Sequence, residues 1–187
     1  MKRAIFLAAI VLLACGQKGE EAGQETTGQA GSSGPISWTV PGGWVEEAPS
    51  SSMRKAQFRL PKLENDPEDA TVVVFYFGPG QGGGVMANIQ RWVGQFTQAD
   101  GSSAGDMAKI SSATVNELKQ TTVDVSGTYL FQMTPMSPVT TEKPNFRMLA
   151  AVVEHSGGPW FVKMTGPKNT IDSWEKSFTE FMNSIKG

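Results

Sequence analysis

Residues 71–97 read TVVVFYFGPGQGGGVMANIQRWVGQFT, and their interpretation decides the fold. Thr71 to Phe77 is an almost unbroken run of β-branched and aromatic residues. Such a run suits a central strand covered on both faces. Gly78 to Gly84 is a glycine-rich loop that ends the strand. Val85, Met86, Ile89, Trp92, Val93 and Phe96 then recur at helical spacing, which predicts an amphipathic helix from Val85 to about Phe96. One other segment carries a comparable pattern. Ile171, Trp174, Phe178, Phe181, Met182 and Ile185 mark a helix near the end of the chain, with Asn169 or Thr170 as its cap.

The segments around these two helices read as strands. Ile36–Val40 and Met53–Leu60 alternate apolar and polar residues, as a half-buried strand does. Lys109–Leu118, Thr121–Leu130, Phe146–Glu154 and Trp160–Met164 follow. The last two join through Gly157-Gly158-Pro159, a hairpin signal. Phe131 to Pro144 contains three prolines and reads as an irregular excursion. Two apolar-faced helices must lie against a sheet. The expected class is α+β: a mostly antiparallel central sheet flanked by two amphipathic helices, an α/β/α sandwich.

The chain has 187 residues, enough for one domain with terminal additions, and 39% of them are hydrophobic. Three parts follow: 1–14 a signal peptide, 15–34 a flexible tether, and 35–187 a globular domain. The leader MKRAIFLAAIVLLA has a basic start at Lys2 and Arg3. Its apolar stretch, Ile5 to Leu13, is too short to span a bilayer. Leu12-Leu13-Ala14-Cys15 resembles the lipobox of bacterial lipoproteins. That resemblance implies cleavage after Ala14 and acylation of Cys15, attaching the protein to a membrane. Gly16 replaces the aspartate that signals inner-membrane retention in that family, which points to the periplasmic face of the outer membrane if the cell has two membranes. Residues 16–34 hold no large apolar side chain and cannot offset their ordering entropy by burial. They form a tether with a reach of about 24 Å.

The globular part resembles the PsbP-like superfamily, which includes a photosystem II extrinsic protein and a nuclear Ran-binding regulator. The resemblance rests on Pro41-Gly42-Gly43-Trp44 after the opening strand, on the Trp160–Pro167 strand ending in Thr165-Gly166-Pro167, and on a terminal helix carrying Phe178, Phe181 and Ser184. It implies a sheet flanked by helices and a non-catalytic accessory or binding role.

Candidate chemistry is sparse. The single cysteine, Cys15, and the single histidine, His155, cannot supply a zinc site of ordinary composition. Glu64, Asp66, Glu68 and Asp69 crowd one loop, but without EF-hand spacing or glycine they read as a solvated loop. The formal charge is −2, and loss of Lys2 and Arg3 with the leader leaves 14 basic against 18 acidic residues. That balance offers no basic stripe for nucleic acid. The glycine loop lacks the endings of a P-loop or a dinucleotide site. Gly82, Gly83 and Gly84, with Asn88 and Arg91 one turn into the helix, form the candidate ligand site, an anion-binding corner. Trp44, beside a turn, is the tryptophan expected to be partly exposed. No catalytic residue, metal or cofactor is assigned. The reading is a non-enzymatic, membrane-tethered envelope binding or assembly lipoprotein with a protein partner in the envelope. The alternative is a small hydrolase using His155 with one of Ser102, Ser103, Ser111 or Ser112.

Overall fold

The computed structural model describes residues 30–32, 36–132 and 139–187. The leader, Cys15, most of the tether and part of the Phe131–Pro144 excursion lie outside the described residues.

Ala30–Ser32 (β1) pairs antiparallel with Ser37–Thr39 (β2), so the segment read as tether contributes a short strand. The main sheet contains eight strands: Val45–Glu47 (β3), Arg54–Leu60 (β4), Ala70–Tyr76 (β5), Phe96–Thr97 (β6), Lys109–Val115 (β7), Leu118–Phe131 (β8), Thr141–Glu154 (β9) and Trp160–Pro167 (β10). Their order is β3-β4-β5-β10-β9-β8-β6, with β7 also on β8, and every pairing is antiparallel. The helices are Val85–Val93 (α1) and Lys168–Ser184 (α2). The class is α+β, as expected.

Strand alternation distributes the core between the two faces. Along β9, Leu149, Ala151 and Val153 join Ile171, Phe178, Phe181 and Met182 of α2 in one cluster. Met148, Ala150 and Val152 join Ile89, Trp92 and Val93 of α1 in another. Trp44 belongs to the first cluster and is buried, contrary to the sequence expectation. Its ring lies 5.1 Å from that of Phe181, and its indole N–H donates to Ser177 Oγ at 3.0 Å.

Four boundaries differ from the sequence reading. Helix α1 stops at Gly94, and Phe96 is buried in β6 rather than in the helix. Residues Asn116 and Glu117 both take positive φ and make a two-residue hairpin turn between β7 and β8. The β8–β9 ladder also continues to Phe131↔Thr141, through residues assigned to an irregular excursion. Pro144 is accommodated because it lies opposite the register irregularity between Gly127 and Tyr129, where a missing N–H costs least. Finally, Asn169 and Thr170 lie inside α2 and do not cap it. Asp66, from the β4–β5 loop, accepts the Thr170 backbone N–H at 2.8 Å and the Thr170 hydroxyl at 2.6 Å. Asp66 is therefore a buried cap supplied from a distant loop, not a solvated carboxylate.

Candidate binding groove

The glycine loop is held in a fixed shape from inside the protein. Gly78, Gly80, Gly82 and Gly83 all take positive φ. A Cβ on Gly82 would meet the Phe161 ring at 2.6 Å. The loop also packs on the β9–β10 turn, where a Cβ on Gly158 would lie 2.9 Å from the Gly78 carbonyl oxygen. Tyr76 bridges the same two segments by donating from its hydroxyl to the Gly157 carbonyl at 2.6 Å. Asn88 is buried, and its amide N–H groups donate to the carbonyls of Gly82 at 2.8 Å and Gly84 at 2.9 Å. Arg91 donates to Asn88 Oδ1 at 2.5 Å. The structure thus brings Gly82, Gly84, Asn88 and Arg91 together, with Asn88 engaged on loop carbonyls.

His155 and the serines proposed for it are engaged elsewhere. His155 Nδ1 accepts the Gly157 backbone N–H at 2.9 Å. Ser102 donates to Asp100, Ser103 accepts from the Gly105 N–H, and Ser111 and Ser112 bond to Thr122 and Thr121 across the β7–β8 ladder.

A more developed site lies on the sheet face that α1 covers only in part. There a groove of about 360 Å³ runs over Thr71 and Val73 of β5 and Lys163 and Thr165 of β10. The register sets these side by side, Val73 opposite Lys163 and Thr71 opposite Thr165. Phe75 and Arg54 form one end, with the guanidinium carbon 5.6 Å from the ring centroid. Tyr129, Phe131, Lys143 and Phe146, from the far end of the β8–β9 ladder, form the other. Lys143 Nζ sits 4.8 Å from the Phe131 ring centroid and 5.4 Å from that of Phe146.

The cations around the groove are compensated unequally. Lys143 is paired with both oxygens of Glu68, at 2.5 and 2.7 Å, and Asp69 is paired with Arg59. Arg54 and Lys163 instead donate to neutral amides, Gln57 Oε1 and Gln95 Oε1, each at 2.7 Å. Burial pushes the Lys163 ammonium down to about 8, and the positive charge of Arg91 adds to the effect. Burial also raises the Tyr129 phenol. Thr165 Oγ1 is shielded from solvent and makes no hydrogen bond among the described residues. The arrangement can hold an anion against aromatic rings.

Sequence reasoning did not find this groove. One signal was present. Lys163 is the single charge inside the apolar run Trp160–Met164, where a charge needs a reason.

No family model matches the chain, and no curated protein matches it. Solved structures do. Cyanobacterial PsbP (CyanoP) from Synechocystis sp. PCC 6803 superposes with a TM-score of 0.51 at 12% identity, covering 89% of this chain and 96% of that one. At that identity the likeness establishes a shared PsbP-like fold. LpqN, involved in cell envelope biogenesis of Mycobacterium tuberculosis, aligns with a TM-score of 0.46 at 14% identity over 87% of this chain and 86% of its own. A protein of Bacteroides thetaiotaomicron aligns with a TM-score of 0.42 at 12% identity, over 81% of this chain and 44% of that one.

Proposed function

We propose that this protein is a lipid-anchored, non-enzymatic accessory module of the cell envelope that acts by binding. Its domain is an α/β/α sandwich of the PsbP-like kind, with a helix against each sheet face. The observation that carries the reading is the groove beside α1. It is concave, lined by aromatic rings and by two cations that, among the described residues, pair with neutral amides, and His155 is not among its lining residues. Such a surface recognises rather than reacts. The anchor follows from the lipobox-like Leu12–Cys15 and the basic leader, and the tether would let the domain reach a partner off the membrane surface. Gly16 after the cysteine favours the periplasmic face of the outer membrane if the cell has two membranes. The glycine corner at Gly82, Gly83, Gly84, Asn88 and Arg91 remains a secondary contact surface, since Arg91 flanks Lys163.

Two measurements test this reading. Expressed in a bacterial host, the wild type incorporates labelled palmitate and partitions with membranes, and Cys15→Ser loses both. Equal labelling of Cys15→Ser overturns the anchor. Hydrolysis of chromogenic esters that disappears in His155→Ala overturns the non-enzymatic reading.

A further inference from the structure

We propose that Lys109–Val115 (β7) is a dimerisation edge, pairing antiparallel with β7 of a second copy of this chain across a two-fold axis at Ser112. This goes beyond the binding reading above and does not rest on it.

Among the described residues the main sheet ends in three edge strands, and two of them are blunted. Strand β3 has three residues, two of them Glu46 and Glu47, and β6 has two. Strand β7 has seven. It carries no proline and one charge, Lys109 at its start. Its register with β8 runs without a shift from Lys109↔Asp124 to Val115↔Leu118. The side chains from Lys109 to Thr114 are all exposed. A long, flat edge of this kind is a template for another strand.

The hairpin turn fixes which backbone groups point outward. Asn116 and Glu117 close a two-residue loop with positive φ at both positions, so Val115 and Leu118 exchange both backbone hydrogen bonds. Alternation along the ladder then turns the N–H and C=O of Thr114, Ser112 and Ile110 away from β8. Antiparallel pairing about Ser112 sets Ser112 opposite its own counterpart, and Ile110 opposite Thr114 of the second copy. All three pairs then fall in the hydrogen-bonded phase and supply about six backbone bonds. Moving the axis by one residue leaves about four.

Charge favours this partner and this direction. Lys109 lies at one end of β7 and Glu117 just beyond the other, both exposed. Antiparallel self-pairing sets Lys109 opposite Val115 of the second copy and diagonal to its Glu117, twice over by symmetry. Parallel pairing would set Lys109 beside Lys109. The antiparallel register also lays Thr114 of the second copy against Ile110, which is 47% exposed in one copy.

The test uses the full chain, extracted from a bacterial host in nonionic detergent. Sedimentation equilibrium is expected to give a protein mass of two chains. Ser112→Pro removes an outward N–H without removing a backbone bond to β8. It is expected to give the mass of one chain that still melts cooperatively. Ser112→Lys sets two ammonium groups face to face on the axis and is also expected to give one chain; it decides the matter if the proline variant fails to fold. A short bis-maleimide cross-linker reads the register, with wild type as the background for Cys15. Ser112→Cys is expected to cross-link to itself. Thr114→Cys alone is not, because its two copies would stand about 14 Å apart along the strands. Thr114→Cys co-expressed with Ile110→Cys is expected to cross-link. A single-chain mass for wild type overturns the proposal. So do a two-chain mass for a folded Ser112→Lys variant, equal cross-linking of Ser112→Cys and Thr114→Cys, or cross-linking of Ser112→Cys only to a different envelope protein.

Discussion

The two faces of the sheet are built from the same strands and finished differently. On one, the 17-residue helix α2 lies across β9 and β10 and closes the face with aromatic rings. Phe181 touches Trp38, Trp44 and Phe58 at centroid distances of 6.1, 5.1 and 6.4 Å. Where charge occurs on this face it is matched. Arg147 is gripped by both oxygens of Asp124 at 2.9 Å and by Asp172 and Glu175 at 2.7 Å, which raises its pKa. On the other face the nine-residue helix α1 covers less. Among the described residues, the uncovered part holds a lysine bonded to a neutral amide, a threonine hydroxyl with no hydrogen bond, and a groove. Helix length decides the difference. A helix rises about 1.5 Å per residue, so α1 spans about 14 Å and α2 about 26 Å. The shorter one leaves a groove, and the longer one leaves a closed core.

The largest expected effect breaks the closed face and spares the open one. Phe181→Ala should cost about 3–5 kcal/mol in urea unfolding, because it empties a fully buried aromatic site. Phe131→Ala, at the groove wall, should cost under about 1 kcal/mol. Similar losses for both would erase the distinction between core and groove.

Next in size, Lys163→Met should stabilise the domain at pH 7 by up to about 3 kcal/mol. The folded value near 8 lies below the unfolded value near 10.4, so the unfolded chain binds more protons between them. Wild-type stability should therefore rise as pH climbs from about 8 towards about 10.4, and the variant should lose that slope. Unfolding free energies at several pH values measure both.

Asp66→Ala tests how α2 is seated. It strips the acceptor from the buried Thr170 amide and hydroxyl and should cost about 1–3 kcal/mol. Asp66→Asn should recover part of the loss, since the amide oxygen still accepts. A loss no greater than that of a surface substitution would refute the cap.

The smallest effect concerns Lys168, paired with Asp172 one turn along α2 at 2.6 Å. Burial raises the Asp172 carboxyl, but hydrogen bonds and charge from Lys168 and Arg147 hold it below its usual value. A lowered folded pKa contributes stability above the unfolded value and loses it as pH falls through the folded one. Lys168→Ala should raise the Asp172 pKa seen by NMR and cost about 0.3–0.5 kcal/mol at neutral pH. The domain should then lose less on acidification.

Much of the fold was legible because periodicity is local. The Ile171–Ile185 stripe, the β-branched run at Thr71–Phe77 and the Gly157-Gly158 turn each announce one element without reference to any other. The misreadings arose where a partner strand outvotes local signals. Phe96 continues the helical stripe of α1, yet it pairs with Tyr129 across a ladder. Pro144 reads as a breaker, yet the irregularity opposite leaves room for it. Asp66 looks like one carboxylate among four in a polar loop. Its cap role depends on Thr170, 104 residues away.

The amino-acid sequence by itself determined the α+β class, the two helices, most of the strands and the sparse stock of catalytic groups. Each of these depends on composition or on spacing within a few residues. Only the tertiary structure decided which charges are compensated. The sequence does not say which of Arg54, Lys143 and Lys163 an acidic side chain reaches. Glu68 reaches Lys143, while among the described residues neutral amides reach Arg54 and Lys163. Charge compensation is a matter of a few ångströms between residues far apart in the chain, and strand order with helix length sets those distances.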